Sequence, residues 1–291
     1  MKKASVTHIP FFKWRTVSSC FDAASAFISQ HRRLLFRWIG LLALPFAVLV
    51  GALIYSLSAS SGPTPVNEDL TLNLIVQVLA IIMLAYAMMS VVTWTLMQRY
   101  LSHPQGLAGV TLPEVAKSLA RNFVRVLPPF ALGAIVLLFA IRWIFGVFIV
   151  GFFAIPLCVM LSLPIMLIPP AAIMGKAGII KVWVHVHEVL TNDIGGAIML
   201  LLVSLMTMGS TVVTISVAVH FINELCNFLT GTSQFLTNSA LVESIVIGLA
   251  TWFALMMLEM WILCTGYFYG SEIDMQRDYS LSRDIENFEN L

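Results

Sequence analysis

Long uncharged stretches alternate with short charged ones along this chain, and the lengths of the uncharged stretches set the architecture. A helix of about 20 apolar residues crosses the roughly 30 Å hydrocarbon layer of a bilayer. From Trp38 to Asn67 no residue is charged, and "WIGLLALPFAVLVGALIYSL" fills a first span. "LNLIVQVLAIIMLAYAMMSVVTWTLM" supplies a second, ending just before Arg99. Between Arg125 and Lys176 lie 50 residues whose one charge is Arg142. A single helix of that length would measure about 75 Å, so the chain must fold back on itself. Arg142-Trp143, with Gly146 just after, suits a hairpin at the interface, where Trp prefers to sit and Arg can snorkel to water. Spans three and four flank it. Ile194 to Ile222 and Ser244 to Phe268 complete a set of six, the last interrupted by Glu259.

A second pattern precedes the odd-numbered spans. "FDAASAFISQHRRLLFRW", "LPEVAKSLARNFVRVLPP" and "IIKVWVHVHEVLTND" are mixed apolar and polar segments that each run straight into a span. Phe21, Ala24, Phe27, Ile28 and Leu35 share one helical face in the first; Leu112, Val115, Leu119 and Phe123 do so in the second. In the third the stripe is Ile179, Val182, Trp183, Val186 and Leu190. Such stripes predict helices lying in the membrane interface with their apolar side among the headgroups. The expected fold is therefore all-α, a polytopic bundle of six transmembrane helices with three cytoplasmic interfacial helices. It reads as three helix-plus-hairpin units related by an axis along the membrane normal. Residues 1–37 form a basic N-terminal segment with its interfacial helix, 38–270 the membrane domain, and 271–291 an acidic, solvated tail.

Charge gives the orientation. Fifteen of the 16 Lys and Arg residues fall on one side of this arrangement, leaving Arg142 alone on the other. Lys and Arg are retained on the cytoplasmic side, which places both termini there, in the plasma membrane, the inner membrane of a bacterium. Composition agrees: 59% of residues are hydrophobic and 11% charged, against about 25% charged in a soluble domain. A net charge of +1 argues against nucleic acid as a partner. The "MKK" opening resembles a signal peptide, but the long basic region and the first apolar stretch fit a retained anchor. The four cysteines, Cys20, Cys158, Cys226 and Cys264, provide no disulfide framework.

Candidate chemistry is sparse. His185 and His187, in "KVWVHVHEVLTND", lie about 200° apart on a helix, and metal ligands on a helix need spacings of three or four. His185 and Glu188 have that spacing, but two ligands are fewer than a metal site needs. A strand would align the histidines, yet an isolated strand at a membrane has no partner for its backbone. Together with Arg142, Trp143 and Trp183, both histidines are read as interfacial residues, and no metal or cofactor is expected. Glu259 is the best single candidate for function. It falls about 22 Å into the sixth span, beyond reach of Arg142, and a carboxyl at that depth tends to face a bundle or a wet cavity. Two readings follow: a neutral acid hydrogen-bonded to Thr93 or Tyr86 of span two, or a proton or substrate site. Pro156, Pro164, Pro128-Pro129 and Pro169-Pro170 free backbone carbonyls at membrane depth, which must find partners in the bundle.

The third unit, "PPAAIMGKAGIIKVWVHVHEVLTNDIGGAIMLLLVSL", resembles the recurring segment of six-span bacterial membrane proteins of the YciC type. It is also similar to the membrane domain attached to some glycerophosphodiester phosphodiesterases. "AFISQHRRLLFR" and "SLARNFVRVL" echo the same pattern in the first two units. Gly175-Lys176 stands where those proteins usually carry an acidic residue, and His185 replaces a small polar one. The resemblance implies a six-span bundle and carries over no catalytic residue; no soluble segment is long enough for the phosphodiesterase domain. The expected function is a non-enzymatic membrane protein that binds membrane lipids, or another membrane protein, in the cell envelope. The alternative is a small transporter or channel using Glu259. An intramembrane enzyme ranks last, because the spans gather too few polar side chains.

Overall fold

The computed structural model describes residues 9–60, 68–103, 106–107, 110–145, 151–176, 178–230 and 240–277. Among them are seven helices and no strand: α1 (Val17–Ser60), α2 (Glu68–Ser102), α3 (Leu112–Phe145), α4 (Gly151–Met174), α5 (Ile179–Asn192), α6 (Ile194–Thr230) and α7 (Ala240–Arg277). Four stretches are long and apolar enough to cross a membrane: Val17–Leu53, Val76–Ser102, Pro113–Arg142 and Ser244–Met275. Counting the bent α4–α5 pair as one span makes five. The other expected spans, in α4 and α6, include many residues whose side chains lie outside the description.

The three expected units enter the bundle in three different ways. In α1 the first segment and the span are joined through a kink at His31, where φ is −116° and ψ 17°. The second has no separate helix, because α3 runs unbroken from Leu112 to Phe145 through Pro128 and Pro129. A proline lacks the N–H that bonds four residues back, yet neighbouring helices can hold such a helix together. The third is a discrete helix: α5 turns through 119° from the end of α4. Asp193 divides it from α6, its Oδ1 accepting the Gly196 N–H at 2.7 Å in the manner of an N-cap.

The amphipathic stripes meet protein. Val182, Val186 and Val189 of α5 are buried, while Ile179 and Ile180 are exposed. Ala24, Phe27 and Leu35 of α1 are likewise buried in the common core. The helix continues past residue 270, so the expected start of a solvated tail falls inside α7. Ser271, Glu272 and Asp274 are buried there, and residues 278–291 lie outside the described residues.

Helix α7 is the axis of the fold. From Trp261 to Asp274 every residue is buried, with α1, α2, α4, α5 and α6 packed against it. Backbones approach closely where residues are small, the usual device of membrane helices. A β-carbon on Gly51 of α1 would lie 2.8 Å from the Ser244 carbonyl of α7, and one on Gly248 would lie 3.3 Å from that of Ala47. Farther along, Trp252 Nε1 donates to the Gly40 carbonyl at 2.9 Å. The non-helical segment 9–16, bent at residues 11–13, then caps the end of the bundle. Phe11 is buried between Trp94 and Tyr267, with ring centroids at 5.8 and 6.0 Å. The Arg15 guanidinium sits 5.0 Å above the Tyr267 ring and donates to the Phe11 and Lys13 carbonyls. Ser271 Oγ accepts the Arg15 N–H at 2.7 Å.

Candidate functional site

Glu259 is buried in α7 and faces Thr93 of α2, whose Oγ1 lies 2.8 and 2.9 Å from the two carboxyl oxygens. A neutral carboxyl satisfies both contacts: the threonine hydroxyl donates to one oxygen and the acid O–H on the other donates back. Among the described residues no cation pairs with Glu259; Glu114, by contrast, pairs with Arg99. Tyr86, the other expected partner, is engaged elsewhere. Its hydroxyl donates at 3.0 Å to the Met166 carbonyl of α4, the group four residues before Pro170 that the proline leaves without an N–H. The tyrosine thus closes one of the gaps that the prolines open. Thr93→Val, which strands a buried carboxyl, is expected to cost about 1–3 kcal/mol, whereas Thr93→Ser and Glu259→Gln keep a donor–acceptor pair and stay within about 1 kcal/mol. Thermal unfolding of the purified variants in one detergent reads the difference, and equal losses for Val and Ser would remove the hydrogen bond from the account.

The other expected residues are not gathered around Glu259. Arg142 is exposed in the last turn of α3; the Trp143 side chain lies outside the described residues. Trp183 turns inward, its ring tip 3.2 Å from where a β-carbon on Gly133 of α3 would sit. His185 is half-buried beside Gly175, and its Nδ1 has no hydrogen-bond partner among the described residues. His187 is exposed. Helical geometry thus separates the two histidines, and no group of three potential metal ligands occurs among the described residues.

A polar cavity lies elsewhere. A polar pocket of about 610 Å³ lies between α2, α3 and the α4–α5 turn. Arg99, Arg121, Arg125 and Lys176 line it, with Glu114 and Asn122. Buried Asn122 ties α3 to α2 by donating to Thr95 Oγ1 at 2.9 Å and Gln98 Oε1 at 3.2 Å. On the same three helices, toward their middles, a cavity of about 400 Å³ is lined almost wholly by apolar groups. Tyr86, Phe130, Leu137, Ile165 and Trp261 form its walls, joined by side chains of α6. Along α3 the two sets of lining residues are five positions apart, Arg125 to Phe130, or about 7.5 Å of helix. Glu259 lines neither cavity.

Sequence reasoning used Arg99, Arg121, Arg125 and Lys176 as markers of orientation and missed that they converge. The available signal was the Arg121–Arg125 spacing, which puts two cations and the neighbouring Asn122 near one helical face. No family model matches this chain, and no curated protein or solved structure is significantly similar to it.

Proposed function

We propose that this protein is a non-enzymatic, six-span membrane protein that binds a membrane lipid along the groove between α2, α3 and α4. Both ends would lie on the cytoplasmic face, as the segregation of Lys and Arg requires, in an architecture of the YciC type. The observation that carries the reading is the pairing of a cationic, polar cavity with an apolar one on the same three helices. Concave apolar sites with a few placed polar groups are the usual form of ligand sites. The ligand that matches this pair is amphiphilic, with a chain against Phe130, Leu137 and Ile165 and a polar head at the Arg-rich end.

The transporter alternative depends on Glu259. Its bond to Thr93, and its position outside both cavities, favour a structural part for it.

Native mass spectrometry of the protein released from lipid nanodiscs tests the reading. The natural chain is expected to retain a lipid, and Ile165→Trp, which fills the apolar cavity, to retain about tenfold less, the equivalent of 1.4 kcal/mol. Undiminished retention in the folded variant would place the lipid elsewhere.

A further inference from the structure

We propose that the polar pocket between α2, α3 and the α4–α5 turn binds a phosphate group, carried either by an anionic lipid or by a small soluble phosphate. The lipid form of this ligand rests on the reading above; the anion site itself does not.

Three observations converge on an anion. First, the lining is unbalanced: four fixed cations, Arg99, Arg121, Arg125 and Lys176, face one carboxylate, Glu114. Glu114 is committed to Arg99 at 2.9 Å. Arg121 and Arg125 are four apart on α3, an arrangement in which like charges repel, and the described residues supply neither with a carboxylate. A dianion between them removes that repulsion. Second, Arg99 keeps a donor in reserve. Its Nε is buried without a hydrogen-bond partner among the described residues, although its terminal nitrogen bonds Glu114. A buried guanidinium N–H is costly to leave unpaired, and the planar fork of Arg suits phosphate oxygens.

The third observation is the backbone of Lys176. It has φ +48°, the one non-glycine residue with positive φ among the described residues. That conformation favours glycine and strains other residues. Glycines stand close on both sides, at 175 and 178. A lysine held where glycine would be more comfortable, with its side chain lining the pocket, points to a use for the ammonium group. Phosphate is the chemistry that suits this set, since Arg binds it by bidentate hydrogen bonds and Lys as a point charge. Basic pockets between membrane helices on the cytoplasmic side recognise phosphorylated lipid headgroups by the same means.

Lys176→Gly separates binding from folding, because it removes the charge while relieving the backbone. Isothermal titration calorimetry of the full chain in a neutral detergent would use inorganic phosphate, glycerol 3-phosphate and dioctanoyl phosphatidic acid, with dioctanoyl phosphatidylcholine as the zwitterionic control. At least one of the three phosphates is expected to bind, and more weakly as salt is raised. Lys176→Gly and Arg121→Gln are each expected to weaken it about tenfold, the loss of one charge-assisted contact, with the Lys176→Gly melting temperature unchanged or higher. Binding of soluble phosphates alone would support the anion site and remove the lipid as its ligand. If phosphatidic acid binds and both variants bind it as tightly as the natural chain, with Ile165→Trp still lowering retention, the anion site is overturned and the lipid groove stands. No heat from any of the three, or equal affinity for phosphatidylcholine, also overturns the anion site.

Discussion

Gly266→Ala is expected to unfold the end of the bundle where α2 and α7 pack together. A β-carbon at Gly266 would overlap two carbons at the edge of the Trp94 ring, and Trp94 has nowhere to go: it is fully buried and flanked by Phe11. Core overpacking costs about 1–3 kcal/mol when neighbours can shift. Here a rigid bicyclic side chain and the backbone of the central helix collide, so the loss should reach about 3 kcal/mol or more. Size-exclusion profiles and thermal unfolding in a fixed detergent read it. Pairing the change with Trp94→Leu should restore much of the loss, since it removes the obstructing ring; a normal melting curve for Gly266→Ala alone would mean that α2 and α7 are not packed this closely.

Phe11→Ala should be nearly as damaging, at about 3–5 kcal/mol for a large aromatic removed from a packed site. Phe11 lies outside every helix, yet it is 2% exposed. Its carbonyl passes so near Gly270 that a β-carbon there would approach to 2.8 Å. Losing the ring would uncover Trp94 and Tyr267 together and release the Arg15 segment from the end of α7. Proteolysis of the N-terminal segment in the intact detergent-solubilised protein should then accelerate. An unchanged cleavage rate and melting temperature would show that residues 9–16 do not cap the core.

These two positions show what the sequence makes legible. Apolar runs depend on local spacing, so the all-helical class and the presence of helices apolar enough to cross a membrane can be read from the pattern alone. Glu259 and its partner Thr93 were also accessible, because a carboxyl at membrane depth demands a hydrogen bond and few side chains nearby could supply one. What local pattern misses is convergence. Nothing near Phe11 marks it as a core residue, since its neighbours Trp94 and Gly270 are about 80 and 260 positions away. Arg99, Arg125 and Lys176 likewise counted as three topological charges until the fold brought them to one cavity. The stripe on α5 is met at Val182 and Val186, which are buried, while Ile179 is exposed and Val189 takes a buried place instead, because an amphipathic pattern records only that a face is covered, not by what. Pro128 and Pro129 sit inside α3, and the helix passes through them, because proline disfavours a helix locally while packing decides the outcome.

In the proposed topology the apolar helices cross the bilayer an even number of times, with the cationic groove on the same side as both termini. Paired reporters, one active only in the cytoplasm and one only outside it, fused in turn after Leu291, before Met1 and within residues 61–67, measure this directly. Cytoplasmic signals from both ends and an external signal from the 61–67 insertion are expected; termini reporting from opposite faces would rule this topology out.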